Sequence, residues 1–442
     1  MRPLALLLTA LLSTAATAQD APPVTEPRET VTGDLAVSST IIAVPDLVTP
    51  QAVATPAGST DALGRNVAEV VREDLRRSGL FSPATTRPIT LAEVTAPNYP
   101  GWRSLGAQAL LQGYVRAESD GQVTVGCYVY DVGTGAELAR NGYRVAPRDW
   151  RRAAHRCADS VYARLTGEGE YFDSQIAYVS ETGPKAKRFK RIAVMDQDGA
   201  NHRFLTNGQN IVLSPRFSPD GSKVAYMSYD GNRPRIYVLD VASGAQRVVV
   251  DTPYTTFAPR FSPDGNTVLF SMAVNGNTDI YSVSAAGGGE PRRLTTAPGI
   301  EVGGSFSPDG QRIVFESDRS GGQQLYVMDA DGGNQRRISF GAGRHATPEW
   351  SPRGDLIAFT RTSGNFRIGV LRPDGSGERL LTDSWQDEAP TWSPNGRVIQ
   401  FFRTKRGSGE AELWSVDLTG VNERQLNLPL NGSDPSWGAV RK

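Results

Sequence analysis

Histidine and cysteine are scarce in this sequence, and the motifs of several enzyme classes are missing. Only three of the 442 residues are His and two are Cys. His155, His202 and His345 lie far apart without metal-ligand spacing, so we interpret each as a surface or packing residue. There is no Gly-x-Ser-x-Gly nucleophile elbow, no Walker loop and no Rossmann fingerprint. We therefore predict that the chain is not an enzyme and binds no metal or cofactor.

A charge excess of one sign is also absent. Lys and Arg together number 47, and so do Asp and Glu, so no long-range field favours nucleic acid or an anionic membrane surface. The hydrophobic content of 39% is typical of a globular protein, and the length allows two or three domains. Any partner must accordingly be recognised through shape and local contacts.

Long apolar runs are confined to the N-terminus. Residues 1–18, MRPLALLLTALLSTAATA, carry one Arg before an apolar stretch and end on small residues, as signal peptides do. A membrane anchor is the alternative, but the stretch is shorter than the roughly 20 residues that a bilayer requires. We predict a signal peptide at 1–18, a flexible mature N-terminus at 19–33 and a soluble protein outside the cytoplasm.

Residues 34–168 show the pattern of a small α/β domain. Apolar residues recur at helical spacing within 61–79, where Asp61 is the predicted N-cap and Gly79 the stop signal. A second helix is predicted at 149–167, and alternating apolar residues between the two helices predict strands.

The two cysteines both fall in this predicted domain. Cys127 and Cys157 are 30 residues apart, and an exported pair can oxidise. A disulfide between them would contribute roughly 3 to 4 kcal/mol of stability in the chain-entropy model. The alternative is a pair of buried thiols.

From residue 169 onward the sequence consists of short strand-like segments in a long repeat. The repeat is marked by an aromatic residue followed by Ser-Pro-x-Gly, and its aromatic positions are Phe217, Phe261, Phe306, Trp350 and Trp392, with Trp437 in the same phase. The intervals of 44, 45, 44, 42 and 45 residues, with four strand-like segments per unit, are typical of β-propeller blades.

One of the six units is split between the two ends of the repeat region. Residues 175–206 supply three strands without the preceding motif, and DPSWG at 434–438 supplies an inner strand with nothing behind it. We predict that these segments pair, because closing the ring removes two exposed sheet edges. The predicted fold is a two-domain protein, a small N-terminal α/β domain followed by an all-β six-bladed propeller at 169–442 that a C-terminal strand closes.

The recurring acidic residue of the motif raises the question of calcium. Asp220, Asp264 and Asp309 occupy the position, but the next two repeats carry Arg353 and Asn395 there. A type I turn explains Ser-Pro-Asp-Gly without a metal, and a ligand would not be replaced by a cation. Function is therefore expected in the unrepeated loops that enter each inner strand, which gather around the mouth of a propeller channel.

Together these features resemble the TolB family, periplasmic propeller proteins of the Tol-Pal envelope system. The resemblance rests on the domain order, on VREDLRRSGLFSP and WRSLGAQALLQGYV in the first domain, and on the repeated FSPDG motif. It implies a non-enzymatic adaptor that binds the lipoprotein Pal at the channel mouth and TolA through the mature N-terminus. Such an adaptor supports outer-membrane integrity and constriction during cell division.

The resemblance also implies two sets of partner-binding residues. The Pal-facing set is Thr255, Phe257, Ala258, Pro259, Glu301, Val302, His345, Thr347, Pro348, Asp387 and Glu388. The TolA-facing set is Glu29, Thr30, Val31, Thr32 and Asp34. The alternatives are a periplasmic propeller hydrolase, which needs an acid/base cluster at the channel, and a small-ligand or glycan sensor, which needs aromatic side chains at the mouth.

Overall fold

The computed structural model describes residues 39–184, 187–231, 233–426 and 428–442. The predicted signal peptide at 1–18, the segment at 19–33 and the five residues assigned to TolA binding lie outside this range. Within the described ranges, no helix combines the length and the apolar composition needed to cross a membrane.

The N-terminal domain is a five-stranded sheet flanked by helices. Its elements in chain order are β1 (Thr40–Ala43), β2 (Ala54–Thr55), β3 (Gly58–Ser59), α1 (Thr60–Arg77), β4 (Phe81–Pro83), a 3-10 turn (Ala92–Val94), α2 (Tyr99–Ser104), β5 (Ala109–Ala117), β6 (Val123–Asp131), β7 (Glu137–Val145), a second 3-10 turn (Pro147–Asp149) and α3 (Trp150–Thr166). The sheet order is β4-β1-β5-β6-β7, while β2 and β3 form a separate hairpin. The β1 strand runs parallel to both of its neighbours, whereas β5, β6 and β7 are antiparallel.

The two long helices form where the apolar spacing predicts them. Their buried stripes, which include Leu63, Val67 and Val71 on α1, pack on one face of the sheet and share its core. The N-cap of α1 is Ser59 and not the predicted Asp61, which lies in the first turn where its charge favours the helix dipole. Beyond the C-terminal end, Gly79 adopts a left-handed φ of 75°.

A disulfide ties the sheet of this domain to its last helix. Cys127 on β6 and Cys157 on α3 are bonded, with Cα atoms 5.9 Å apart. Both side chains are fully buried in the core between the sheet and the helix pair. The bond therefore links two elements that already pack together.

The C-terminal domain is a ring of six four-stranded antiparallel sheets, and the predicted fold class is confirmed. Blade 1 contains β8 (Gln175–Thr182), β9 (Phe189–Asp196) and β10 (Arg203–Phe204), and blade 2 contains β11 (Val212–Phe217), β12 (Lys223–Asp230), β13 (Arg233–Asp240) and β14 (Gln246–Val250). Blade 3 contains β15 (Thr255–Phe261), β16 (Thr267–Val274), β17 (Asn277–Ser284) and β18 (Arg292–Arg293), and blade 4 contains β19 (Glu301–Phe306), β20 (Arg312–Ser317), β21 (Gln324–Asp329) and β22 (Arg336–Arg337). Blade 5 contains β23 (Arg344–Trp350), β24 (Ile357–Ser363), β25 (Asn365–Leu371) and β26 (Arg379–Leu380), and blade 6 contains β27 (Asp387–Trp392), β28 (Val398–Thr404), β29 (Ala411–Asp417) and β30 (Arg424–Gln425).

The last strand of the chain closes the ring by completing blade 1. This strand, β31 (Asn431–Trp437), pairs antiparallel with β8, with Trp437 opposite Ile176. The indole N–H of Trp437 donates to the hydroxyl of Ser174, 2.8 Å away, in the segment that joins the two domains. Closure thus also anchors the inter-domain segment.

The repeated Ser-Pro-Asp-Gly turn joins each inner strand to the second strand of its blade. In blade 2 the Asp220 carboxylate accepts hydrogen bonds from the Ser218 hydroxyl at 2.6 Å and the Ser222 backbone N–H at 3.0 Å. These donors, led by the Ser218 hydroxyl, hold the pKa of Asp220 at about 2. Asp264 and Asp309 bind their own turns in the same way. The recurring acid therefore has a structural role within the turn.

Candidate partner-binding site at the channel mouth

Six residues with a left-handed backbone form a ring around the channel, one on each inner strand. We call them the ring residues, and they are Ser214 (φ 52°), Ala258 (52°), Gly303 (72°), Thr347 (48°), Ala389 (52°) and Asp434 (50°). Each lies where the pairing between the inner strand and the second strand shifts register. A left-handed conformation costs a non-glycine residue roughly 1–2 kcal/mol, so the surrounding packing must impose it.

The ring residues surround a small cavity in the channel. Its volume is about 150 Å³, and it is lined by all six ring residues together with Arg216, Phe257, Pro259, Arg260, Val302 and Glu316. The inner strands begin at the loops around this cavity and end at the Ser-Pro-x-Gly turns. The cavity therefore faces the mouth at which the unrepeated loops converge.

Below the ring, side chains of one blade hold the motif of the next. The residue two positions after a ring residue accepts a hydrogen bond from the backbone N–H of the following blade's motif aromatic. The four pairs are Ser436 with Phe217 (3.0 Å), Ser305 with Trp350 (3.2 Å), Glu349 with Trp392 (3.1 Å) and Thr391 with Trp437 (3.2 Å). Hydrogen bonds therefore connect adjacent blades along the channel wall, and they support the ring residues above them.

The two other positions of this layer hold arginines, so the largely apolar cavity also carries charged groups of both signs. Arg260 forms an ion pair with Glu349 at 2.5 Å. Arg216 donates instead to the carbonyl oxygens of Pro215 at 2.7 Å and Pro435 at 3.5 Å. Burial, reinforced by the nearby positive charge of Arg260, lowers the pKa of Arg216 to about 10. The channel wall therefore combines paired and unpaired charges.

Exposed apolar side chains rim the mouth. They stand in the loops that lead into five of the inner strands, and they are Ile211 (53% exposed), Tyr254 (40%), Ile300 (44%), Phe340 (51%) and Trp385 (39%). Scattered single apolar residues are normal on a surface, but these five come from equivalent loops around one opening. A cavity that contains a few charged groups, surrounded by exposed apolar side chains, has the chemistry of a protein-binding surface.

Comparison with known proteins bears on this architecture. A model of the TolB amino-terminal domain matches residues 28–138, and a model of the TolB beta propeller domain matches residues 162–441, more than half of the chain. The chain belongs to the TolB family. The family resemblance predicted from the sequence is confirmed.

Relatives extend over most of the chain. The Tol-Pal system protein TolB of Zymomonas mobilis subsp. mobilis is 61% identical over 402 residues, covering 90% of this chain and 88% of that protein. The TolB of Rhizorhabdus wittichii is 62% identical over 402 residues, covering 90% and 91%. The crystal structure of TolB from Acinetobacter baumannii has a TM-score of 0.78 at 27% identity and covers 91% of this chain and 97% of its own.

Of the residues that the TolB resemblance assigns to the mouth, five line the cavity. They are Phe257, Ala258, Pro259, Val302 and Thr347. Thr255 is exposed beside them, Glu388 is half-buried and Pro348 is buried directly after a ring residue. The structure thus brings five of the eleven predicted residues to one cavity.

The three remaining predicted residues, Glu301, His345 and Asp387, are fully buried within their blades. Each lies two positions before a ring residue. The carboxylate of Glu301 pairs with Arg319 at 3.0 Å, and that of Asp387 pairs with Arg403 at 2.6 Å. The His345 ring lies 3.2 Å from the carboxylate of Glu378. These side chains support the loops from inside and present no surface of their own.

Sequence reasoning missed several residues of the cavity, namely Ser214, Arg216, Arg260, Gly303, Glu316, Ala389 and Asp434. The sequence does contain a signal for the ring, because proline follows five of the six ring residues at the spacing of the repeat. The residue three positions before each motif aromatic is therefore recognisable from the sequence as a candidate site residue. No repeat marks Glu316, whose place depends on strand pairing.

At the opposite end of the channel, the α/β domain packs against blade 1 through a buried ionic cluster. His155 Nδ1 lies 2.6 Å from Asp74 Oδ2, and His155 Nε2 lies 3.9 Å from Asp198 Oδ2 in the turn after β9. Gln197 donates to Asp74 at 2.8 Å, and Arg151 pairs with Asp198. The spacing of the two carboxylates and the imidazole resembles a metal-ligand set, within 4.8 Å of one another. Since Arg151 and Gln197 already occupy the carboxylates, the cluster is best described as an inter-domain ionic contact.

Proposed function

We propose that this TolB-family chain is a non-enzymatic periplasmic adaptor of the Tol-Pal system that binds Pal at the channel mouth. The observation that carries the proposal is the apolar rim around the ring of left-handed residues, at the end of the propeller that the α/β domain leaves uncovered. Its relatives carry the name Tol-Pal system protein TolB, which supports the assignment to this system. The predicted signal peptide at 1–18 supports export to the periplasm.

The rim supplies the anchors that a protein interface needs. Tyr254 and Trp385 offer large, rigid side chains with a polar atom, and Ile211 and Ile300 add apolar area beside them. A few such anchors carry most of the energy of an interface, while surrounding polar groups exclude water and fix orientation. The mixed charges below the ring would provide that orientation.

A hydrolase needs an acid and a base that converge on an open site. Glu301 and Asp387, two acids that the sequence offers near the mouth, are buried and bonded to Arg319 and Arg403 within their own blades. Each carboxylate is therefore committed to a structural ion pair. These two acids are thus unavailable as the convergent acid and base that a hydrolase would need.

A second partner site is proposed in the mature N-terminus. Glu29, Thr30, Val31, Thr32 and Asp34 would contact TolA, as the family resemblance implies. A segment without a core of its own orders only on binding, so modest and switchable affinity is expected. Through the two sites the chain would connect Pal with TolA and support outer-membrane integrity and constriction during cell division.

The adaptor role is testable by titrating the mature chain against Pal that lacks its lipid. We expect Ile300→Ala to weaken binding about tenfold, since truncation of a side chain that carries binding energy at an interface costs more than about 1 kcal/mol. Val248→Ala is the matched control, because Val248 is 39% exposed on the outer strand β14 of blade 2, away from the mouth. Failure of the unaltered chain to bind Pal would refute the adaptor role, and equal binding by both variants would refute the placement of the site.

The TolA site is tested by deletion of residues 19–35. We expect this deletion to reduce TolA binding while Pal binding and the melting temperature of the propeller stay unchanged. Loss of folding would instead assign the segment a structural role. Full retention of TolA binding would place the site elsewhere on the chain.

A further inference from the structure

Glu316 is the one ionisable side chain among six equivalent positions in the blades. Each position pairs across the sheet with the residue that directly precedes a ring residue, and the other five are Val179, Met227, Ser271, Thr360 and Phe402. Because apolar and hydroxyl side chains serve in the other blades, the fold itself does not require a carboxyl group here.

The carboxyl group of Glu316 is buried, and one of its two oxygens lacks a hydrogen-bond partner among the described residues. The residue is 7% exposed and lines the cavity, and its Oε2 accepts no hydrogen bond from any residue that the structure describes. The cations of the cavity are engaged elsewhere, Arg260 with Glu349 and Arg216 with two carbonyl oxygens. Buried polar groups normally have partners, so this one points to a missing ligand.

Space for a ligand exists beside the carboxyl group. Gly303, the one glycine of the ring, has no side chain, and a Cβ atom there would lie 3.7 Å from Glu316 Oε1 and 3.6 Å from the Pro348 ring. The cavity of about 150 Å³ opens toward the mouth and accommodates the end of one long side chain. Its buried acid suits a group that carries positive charge and several hydrogen-bond donors.

We infer that the cavity is a subsite for one Lys or Arg side chain of the protein partner at the mouth, with Glu316 as its counter-ion. The inference deepens the proposed function and rests on it. A charged hydrogen bond formed away from water is strong, and removal of one member of such a pair raises the dissociation rate. The subsite would therefore act as the polar anchor at the centre of the apolar rim.

The inference predicts that partner binding changes the protonation state of Glu316, which can be measured. Burial raises the pKa of Glu316 to about 8, against a smaller opposing effect of the Thr347 N–H. The other charged groups that line or approach this cavity are Arg216, Arg260, Glu349, Glu388 and Asp434. At neutral pH the free chain holds Glu316 mainly as the acid, and an entering cation favours the carboxylate. Binding thus releases a proton, and affinity rises with pH.

The experiment is calorimetric titration of the mature chain with lipid-free Pal at pH 6, 7 and 8, in two buffers of different ionisation enthalpy. For a group with a free pKa of about 8, we expect release of about 0.9 proton at pH 7 and an affinity gain of about fifty-fold from pH 6 to pH 8. Glu316→Gln keeps the size and donor capacity of the protonated acid, so the fold should persist, which a melting curve checks. This variant should lose the proton release and bind at least tenfold more weakly at pH 8.

Asp434→Asn distinguishes between the two acids of the cavity, because Asp434 lines the same cavity and its pKa is also raised by burial. In this variant Glu316 is still present to titrate, so the proton release should persist whatever the change in affinity. If Glu316→Gln retains the affinity and pH profile of the unaltered chain, or if Asp434→Asn alone abolishes the release, the assignment to Glu316 is wrong while the adaptor role stands. Absence of Pal binding by the unaltered chain at every pH overturns both.

Discussion

The guanidinium of Arg353 lies 3.0 Å from the carboxylate of Glu168, in the segment that leaves the α/β domain. In the next blade, the Asn395 amide donates to the carbonyl oxygen of Gly169 at 2.8 Å. Arg353 and Asn395 are the two residues that replace the motif aspartate in the repeat. The departures from the repeat therefore mark where the propeller contacts its neighbouring domain.

We expect Asn395→Asp to weaken this contact while it preserves the turn. Asn395 Oδ1 accepts from Ser393 at 2.8 Å and from the Arg397 N–H at 3.1 Å, and an aspartate can accept both bonds. The lost donor to Gly169 would leave two acceptors facing each other, at a cost of about 1–3 kcal/mol. Urea unfolding and limited proteolysis of the inter-domain segment would measure the loss.

The control is Asp264→Asn in blade 3, where the motif turn makes its bonds within itself. This exposed change should alter the free energy of unfolding by less than about 0.5 kcal/mol. Similar losses for both variants would mean that the turn, and not the inter-domain contact, is sensitive at this position.

The His155 cluster predicts a pH dependence of stability. Burial by itself lowers the pKa of His155, but Asp74 and Asp198 outweigh it and raise the value to about 9. Because the folded pKa exceeds the unfolded value of about 6.5, the stabilisation is complete below pH 6.5 and is lost as pH rises through 9. We expect the free energy of unfolding to fall by up to about 3 kcal/mol over this range.

Urea titrations at pH 6, 7, 8 and 9 test this expectation. His155→Gln should remove the decrease in the free energy of unfolding between pH 6 and 9. Asp198→Asn should shift this decrease to lower pH, because His155 then has one acidic neighbour fewer. An unchanged slope in both variants would contradict the assignment.

The sequence predicted the blades because each blade repeats the same local signals. The aromatic-Ser-Pro-x-Gly motif places a turn with its own hydrogen bonds, and strand alternation follows on both sides, so the fold class was readable from the period. The helices of the first domain were readable for the same reason, apart from the N-cap at Ser59, where the hairpin of β2 and β3 sets the start of α1.

Residues whose roles depend on distant partners could not be predicted in this way. The family resemblance places Glu301 and Asp387 among the Pal-facing residues, yet Arg319 and Arg403 draw both carboxylates inside the blades. The sequence predicts a surface or packing residue at His155, and the structure buries it. Its ionic contacts were not predictable, because Asp74 lies 81 residues before it and Asp198 lies in the propeller. Sequence spacing carries no information about such contacts.

The disulfide between Cys127 and Cys157 gives a prediction for the first domain alone. Closing a 30-residue separation contributes roughly 3–4 kcal/mol in the chain-entropy model, so its loss should destabilise the α/β domain by that order. Calorimetry of the double variant Cys127→Ala, Cys157→Ala should show an earlier transition for this domain and an unshifted one for the propeller. A uniform shift of both transitions would mean that the two domains unfold as one unit.

Substitutions at two equivalent ring positions should change the stability of the propeller in opposite directions. Ala389 holds a φ of 52°, and Gly303 holds 72° in blade 4. Ala389→Gly should stabilise the propeller by about 0.5 kcal/mol, because relief of left-handed strain exceeds the entropy that glycine adds to the unfolded chain. Gly303→Ala should destabilise it by about 1 kcal/mol through the backbone alone, since the nearest atom to the new Cβ is 3.6 Å away. Urea unfolding measures the free energy of unfolding of both variants. Destabilisation by both substitutions would show that the backbone is not strained at Ala389.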